Sequence, residues 1–205
     1  MTYNPENRRF PLSQHTIGPF FPPGFFQPGD NDLTRYSADA TPTEQGEVFI
    51  LHGNVCKEGR LPVPNMILEM WQADANGRFR SECDPEGDQA DPDFIAWGRS
   101  WTTMEGDYSF RSVLPGSYEE DGQRRAPHLN VLLMGIGLMK PVTTTLYFPQ
   151  FAELNAKDPI LNLVPEHQRD RLLVQPDGEV DGVPAYRFDI LTRGPADEET
   201  IFFET

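Results

Sequence analysis

The chain has 205 residues, enough for one domain with extensions and a sizeable core. Its formal net charge of −15, with no Lys/Arg run, argues against nucleic acid and anionic membrane as partners. No stretch is apolar long enough to span a bilayer, and the N-terminal "MTYNPENRRFPLSQ" lacks the apolar core of a signal peptide.

Residues 1–46 are rich in Pro, Gly and aromatics ("HTIGPFFPPGFFQPGDNDL"), which opposes helix. So apolar an arm needs a surface to cover, on the domain or on a partner. Residues 47–205 then read as short strand-like blocks. "EVFILHGNVC" (47–56) precedes the turn "KEGRLPVPN", and "MILEMWQ" (66–72) places Glu69 between apolar neighbours. "DANG" (74–77) is a turn signal, as is "PGSY" (115–118). Between them stand "GRSWTT" (98–103) and "DYSFRSV" (107–113). "HLNVLLMGIGLM" (128–139) is the longest apolar run, and its two glycines weigh against a helix. "TTTLYF" (143–148) is β-branched and aromatic. Short helices are expected at 150–156 and 166–173. "AYRFDIL" (185–191) and "TIFFE" (200–204) are expected to close the sheet. Many strands at short spacing predict an all-β sandwich. Cys56 and Cys83 make neither a disulfide framework nor a zinc pattern, so a reduced, cytoplasmic protein is expected.

"APHLNV" (126–131) poses the chemical question. On a strand, residues two apart share a face, so His128 and Asn130 point the same way. A His-x-His there would be a two-toothed metal clamp, but here the second tooth is an amide. From the residues alone, a metal site, an incomplete one and a strand with a buried histidine all stay open.

Several blocks taken together resemble the intradiol ring-cleavage dioxygenases, specifically the two-chain protocatechuate 3,4-dioxygenases. They are "HTIGPFF" (15–21), "LEMWQADANGRF" (68–79), "WGRSWTT" (97–103), "GDYSFRSVLPGSY" (106–118), "APHLNV" (126–131), "TTLYF" (144–148), "NAKDPILNL" (155–163) and "YRFDI" (186–190). They cover nearly the whole chain in the family's order, and the final "ETIFFET" also looks like the family's ending. The resemblance implies a ferric ion held by two tyrosines and two histidines. The first tyrosine position is Phe79 here, the second is Tyr118, the first histidine is His128 and the second histidine position is Asn130. Phenyl has no donor atom and a neutral amide is a poor ligand for ferric iron. The resemblance therefore implies an α chain without the full ligand set. Such a chain pairs with a homologous β chain that binds the Fe3+, in an α/β hetero-oligomer acting on a small aromatic diol and O2.

In that family the α chain's N-terminal turn contributes to the wall of the partner's pocket. The corresponding residues are Thr16, Ile17, Gly18 and Pro19, with His15 where glutamine is commoner. α chains of the family often carry an arginine facing the substrate carboxylate. The position is Ile136 here, so either Arg124, Arg125 or Lys140 supplies the charge or the preferred catechol differs. Two other functions remain: a stand-alone sandwich that binds a ligand, or an independent iron enzyme with ligation rebuilt around Tyr108 or Tyr36.

Overall fold

The computed structural model describes residues 21, 23–82, 84, 86–135 and 137–203. Two sheets face each other across one main core, as a β-sandwich. The first sheet is built on β1 (Val48–Lys57), where Phe49, Leu51 and Val55 turn inward at every second position. One edge of β1 pairs in antiparallel register with β5 (Asp107–Val113) and, further along, β2 (Leu61–Pro62). The other edge pairs in parallel with β11 (Val183–Arg187) and β12 (Ile190–Leu191). β10 (Gln175–Val180) forms the outermost strand beside β11.

The second sheet runs β4 (Trp97–Trp101), β3 (Met66–Trp71), β8 (His128–Gly135) and β9 (Val142–Tyr147), all antiparallel. Met66, Leu68 and Met70 of β3, with Leu129, Val131 and Leu133 of β8, meet Phe49, Leu51 and Phe110 of the first sheet in the core. Opposite parity sends Glu69, Trp71, His128 and Asn130 to the outer face of the second sheet. A two-stranded ribbon, β6 (Tyr118–Glu120) and β7 (Gln123–Arg125), stands apart from both sheets.

The described part of the N-terminal segment closes one side of the sandwich. Leu33 is fully buried in the core. The backbone of 30–33 bonds to the edge strands of both sheets. Arg99 N donates to Asp30 O, Ile95 N to Leu33 O, Leu33 N to Arg111 O and Arg111 N to Asn31 O.

The elements differ from the sequence reading in several places. "AYRFDIL" is two strands, because Phe188 and Asp189 interrupt the ladder between β11 and β12. "PGSY" is not a turn throughout, since Tyr118 opens the ribbon. Of 200–204, the described residues contribute a single bridge, Thr143 to Phe203. Residues 166–172 form 3-10 turns rather than an α-helix, and α1 (Ala152–Asn155) is one turn long.

Candidate functional site

Asp74 begins the construction of the site. Its Oδ1 accepts from the N–H groups of Asn76 (2.8 Å) and Arg78 (2.9 Å), and its Oδ2 from Asp91 N (2.8 Å). This Asx-type turn sharpens at Gly77, where φ is +77° and a Cβ would meet the Ser117 carbonyl oxygen at 2.3 Å. The close approach sets residue 79 beside residue 118. The rings of Phe79 and Tyr118 pack edge to face at 5.0 Å.

Tyr118 turns its hydroxyl toward His128, with Oη 3.4 Å from Nε2. His128 Nδ1–H donates to Ala126 O (2.7 Å), which leaves Nε2 as the acceptor for the tyrosine proton. Burial, reinforced by the Arg125 charge, lowers the His128 pKa to about 4, so the imidazole is neutral at pH 7. Burial likewise pushes the Tyr118 phenol up to about 12, against the pull of Arg125. Asn130 shares the face of His128 and sits opposite Trp71 and Thr145 in the ladders. Its carbonyl oxygen accepts from Thr145 Oγ1 (3.0 Å).

An ion-pair network lies behind this group. Arg125 Nε binds Asp158 Oδ2 (3.0 Å) and Arg125 Nη1 binds Glu120 Oε2 (2.5 Å). Asp158 is fully buried and also accepts from Tyr147 Oη (2.8 Å) and from the N–H groups of Ala126, Ile160 and Leu161. Those bonds, with the Arg125 charge, outweigh desolvation and hold its carboxyl below the usual range. In front, Trp71, Phe79, Tyr118, Asn130 and the ribbon line an open cleft of about 930 Å3.

Phe79, Tyr118 and His128 thus lie in a row of ring contacts, and Phe79, Tyr118 and Asn130 line the same cleft. The donor chemistry does not fit ferric iron. Phe79 offers only carbon, and the Asn130 oxygen is already bonded to Thr145. Only Tyr118 Oη and His128 Nε2, 3.4 Å apart, remain as donor atoms suited to ferric iron. Among the described residues no cluster of three His, Cys, Asp or Glu side chains could hold a metal. Tyr108 and Tyr36 do not replace the missing donors. Tyr108 is in the core and donates to Phe188 O (2.6 Å), while the Tyr36 hydroxyl is bonded to Arg80 Nη1 (2.8 Å). Thr16, Ile17, Gly18, Pro19 and Ile136 lie outside the described residues, as do His15 and Cys83. Arg125, one of the cations considered in place of an arginine at 136, is committed to Asp158 and Glu120. The partnership of Arg125 and Asp158 was not foreseen. Its one local trace is the Asp-Pro of "KDPIL", where Asp158 Oδ1 accepts from the N–H groups of Ile160 and Leu161.

Comparison with known proteins settles the lineage. A family model described as Dioxygenase matches residues 17–194. The chain belongs to the intradiol ring-cleavage dioxygenases. It is 36% identical over 195 residues to the protocatechuate 3,4-dioxygenase alpha chain of Pseudomonas putida, covering 92% of this chain and 94% of that one. It is also 36% identical over 173 residues to the protocatechuate 3,4-dioxygenase beta chain of Burkholderia cepacia, covering 82% and 73%. Among solved structures, 3-chlorocatechol 1,2-dioxygenase from Rhodococcus opacus 1CP superposes with a TM-score of 0.58 at 25% identity, over 87% of this chain and 71% of that one. The family's enzymes are iron-dependent oxygenases, so the departures at Phe79 and Asn130 bear directly on chemistry. No helix among the described residues is long and apolar enough to cross a membrane.

Proposed function

We propose that this chain is the α-type subunit of a protocatechuate 3,4-dioxygenase-like enzyme. It carries no iron of its own and completes the active-site pocket of a homologous β chain that holds the Fe3+. The assembled enzyme cleaves protocatechuate, or a related substituted catechol, between its two hydroxylated carbons with O2 to give a muconate, in the cytoplasm. The observation that carries this reading is the site itself. Of the four positions that the resemblance assigns to iron donors, one carries a phenyl packed on Tyr118 and another an amide bonded to Thr145. A partner chain must then supply the iron, and the similarity to both an alpha and a beta chain supports a related partner.

The contribution of this chain is shape, polar orientation and exclusion of water at the partner's pocket, through Thr16, Ile17, Gly18 and Pro19. Ile136, where an arginine is common, favours a catechol whose substituent needs no guanidinium from this chain, because isoleucine cannot form the paired bonds to a carboxylate.

Metal analysis tests the reading. Purified alone, the chain carries far less than one iron per chain and is colourless. Co-expressed with a related chain bearing two tyrosines and a true His-x-His, it co-purifies in a coloured, active complex. Stoichiometric iron in the lone chain, with tyrosinate colour, would overturn the proposal. A stable monomer that ignores such a partner would favour a free-standing binding module.

A further inference from the structure

The cleft in front of Tyr118 carries an ordered set of polar groups that the subunit reading leaves unused. Asn130 stands directly opposite Trp71 in the β3–β8 ladder, so amide and indole lie side by side on the outer face of the second sheet. Phe79 packs edge to face on Tyr118, whose ring lies 5.6 Å from that of His128. Trp71, Phe79, Tyr118 and Asn130 all line the open cleft of about 930 Å3, and each is half-buried.

Two of these groups have their polarity fixed from behind. Asn130 Oδ1 accepts from Thr145 Oγ1, while its Nδ2 has no partner among the described residues, so the amide offers the cleft donors. The Tyr118 hydroxyl directs its proton at His128 Nε2, because Nδ1–H of that ring is committed to Ala126 O. It therefore offers the cleft lone pairs. A group that serves both must accept from the amide and donate to the phenol oxygen. A hydroxyl does so, whereas a carbonyl cannot donate and an ammonium cannot accept. Charge narrows the choice further. Five carboxylates and three arginines line the cleft, and two of those arginines are spent on ion pairs, Arg78 with Glu86 and Arg125 with Glu120 and Asp158. A ligand carboxylate would enter against that field. The indole and phenyl walls favour an aromatic ring on the hydroxyl.

We propose that this cleft is a metal-free binding site for a phenol that carries no negative charge, its hydroxyl donating to Tyr118 Oη and accepting from Asn130 Nδ2 and its ring lying against Trp71 and Phe79. His128 and Thr145 are positioning residues, since each sets the polarity of the group in front of it. The inference goes beyond the subunit reading and does not depend on it, because every residue of the site belongs to this chain. Protocatechuate bears a carboxylate and is disfavoured here, so the site is distinct in selectivity from the pocket proposed for the assembled enzyme.

The test is calorimetric titration of the purified full chain, with a chelator present, using 4-methylphenol, toluene and 4-hydroxybenzoate as probes. One equivalent of 4-methylphenol is expected to bind with a Kd of about 1 mM or tighter, and the other two about tenfold more weakly or not at all. Tyr118→Phe removes the acceptor and keeps the ring. Asn130→Asp removes the donor and keeps the oxygen that Thr145 bonds, so it guards against a folding defect in the first variant. Each is expected to weaken 4-methylphenol binding about tenfold, the loss of one hydrogen bond at the ligand hydroxyl, with circular dichroism unchanged. Three results would each overturn the proposal: no 4-methylphenol bound by the unsubstituted chain at 10-fold the expected Kd, roughly 10 mM; 4-hydroxybenzoate bound as tightly as 4-methylphenol; or binding within about twofold of the unsubstituted chain in either variant. Binding that appears only when iron is added and the chelator withheld also overturns it.

Discussion

His128 shows how burial and a neighbouring cation set the charge state of an imidazole. Its Nδ1–H donates to Ala126 O, its Nε2 accepts from the Tyr118 hydroxyl, and Arg125 stands close by. Burial, reinforced by the Arg125 charge, favours the neutral ring and outweighs the Ala126 bond, which favours the charged one. The unfolded chain takes up a proton near the ordinary histidine value of about 6.5, whereas the folded chain resists until about 4. Between those limits the unfolded state binds more protons. Stability from this site is therefore complete above about pH 6.5 and is lost as pH falls toward 4, by an amount on the order of 3 kcal/mol. Asp158 acts in the same direction but lower, since a depressed carboxyl gives up its contribution only below the ordinary aspartate range. Urea unfolding of the lone chain at pH 7 and pH 4.5 measures the histidine's share. The His128→Gln variant should be less stable at pH 7 and nearly flat between the two pH values, whereas an equally steep fall in the variant would place the titration elsewhere.

The edge strands show why sequence and structure diverge at the level of elements. β4 and β5 each end a sheet on the same side, and residues 30–33 bond to both. Gly98 is the small residue that permits this. A Cβ there would meet Leu33 Cδ1 at 2.4 Å and the Asp30 carbonyl oxygen at 2.8 Å. That oxygen is fixed by its bond from Arg99 N, so the backbone has little freedom to yield. Gly98→Ala should cost about 1–3 kcal/mol as overpacking, read as a lower urea midpoint with an unchanged slope. Nothing in "DNDLT" announces this closure, because backbone bonds to distant strands leave no local pattern. β10, "QPDGEV", escaped for a related reason: every residue is exposed, so it has no apolar alternation to detect. β1, β3, β5 and β8 were legible because each buries one face. The same parity placed His128 and Asn130 together on the outer face of the second sheet. The Arg125–Asp158 pair was not legible, since its members stand 33 residues apart and on elements with no shared period.

At the scale of the whole molecule, the question is where the arm stops being fold and becomes available to a partner. Composition changes near residue 46, but hydrogen bonds tie the chain to the sandwich from residue 25 onward, at the Phe25 carbonyl, at 30–33 and at Thr43. Two truncations separate the roles. Removing residues 1–24 leaves Leu33, the edge closure and the bond from Arg99 Nη1 to the Phe25 carbonyl in place. Its circular dichroism and thermal midpoint should stay close to those of the full chain, while co-purification with the proposed iron-bearing partner weakens and the KM of any complex that forms rises. Removing residues 1–34 also takes Leu33 out of the core and opens both sheet edges. Loss of a buried leucine alone costs about 2–5 kcal/mol, against a total stability of roughly 5–15 kcal/mol for a domain. This shorter chain should be largely unfolded or aggregated at 37 °C, the more so because uncovered edge strands invite pairing between chains. A 1–24 truncation that still forms the full complex with unchanged turnover would make the first part of the arm a tail, whatever the longer truncation does.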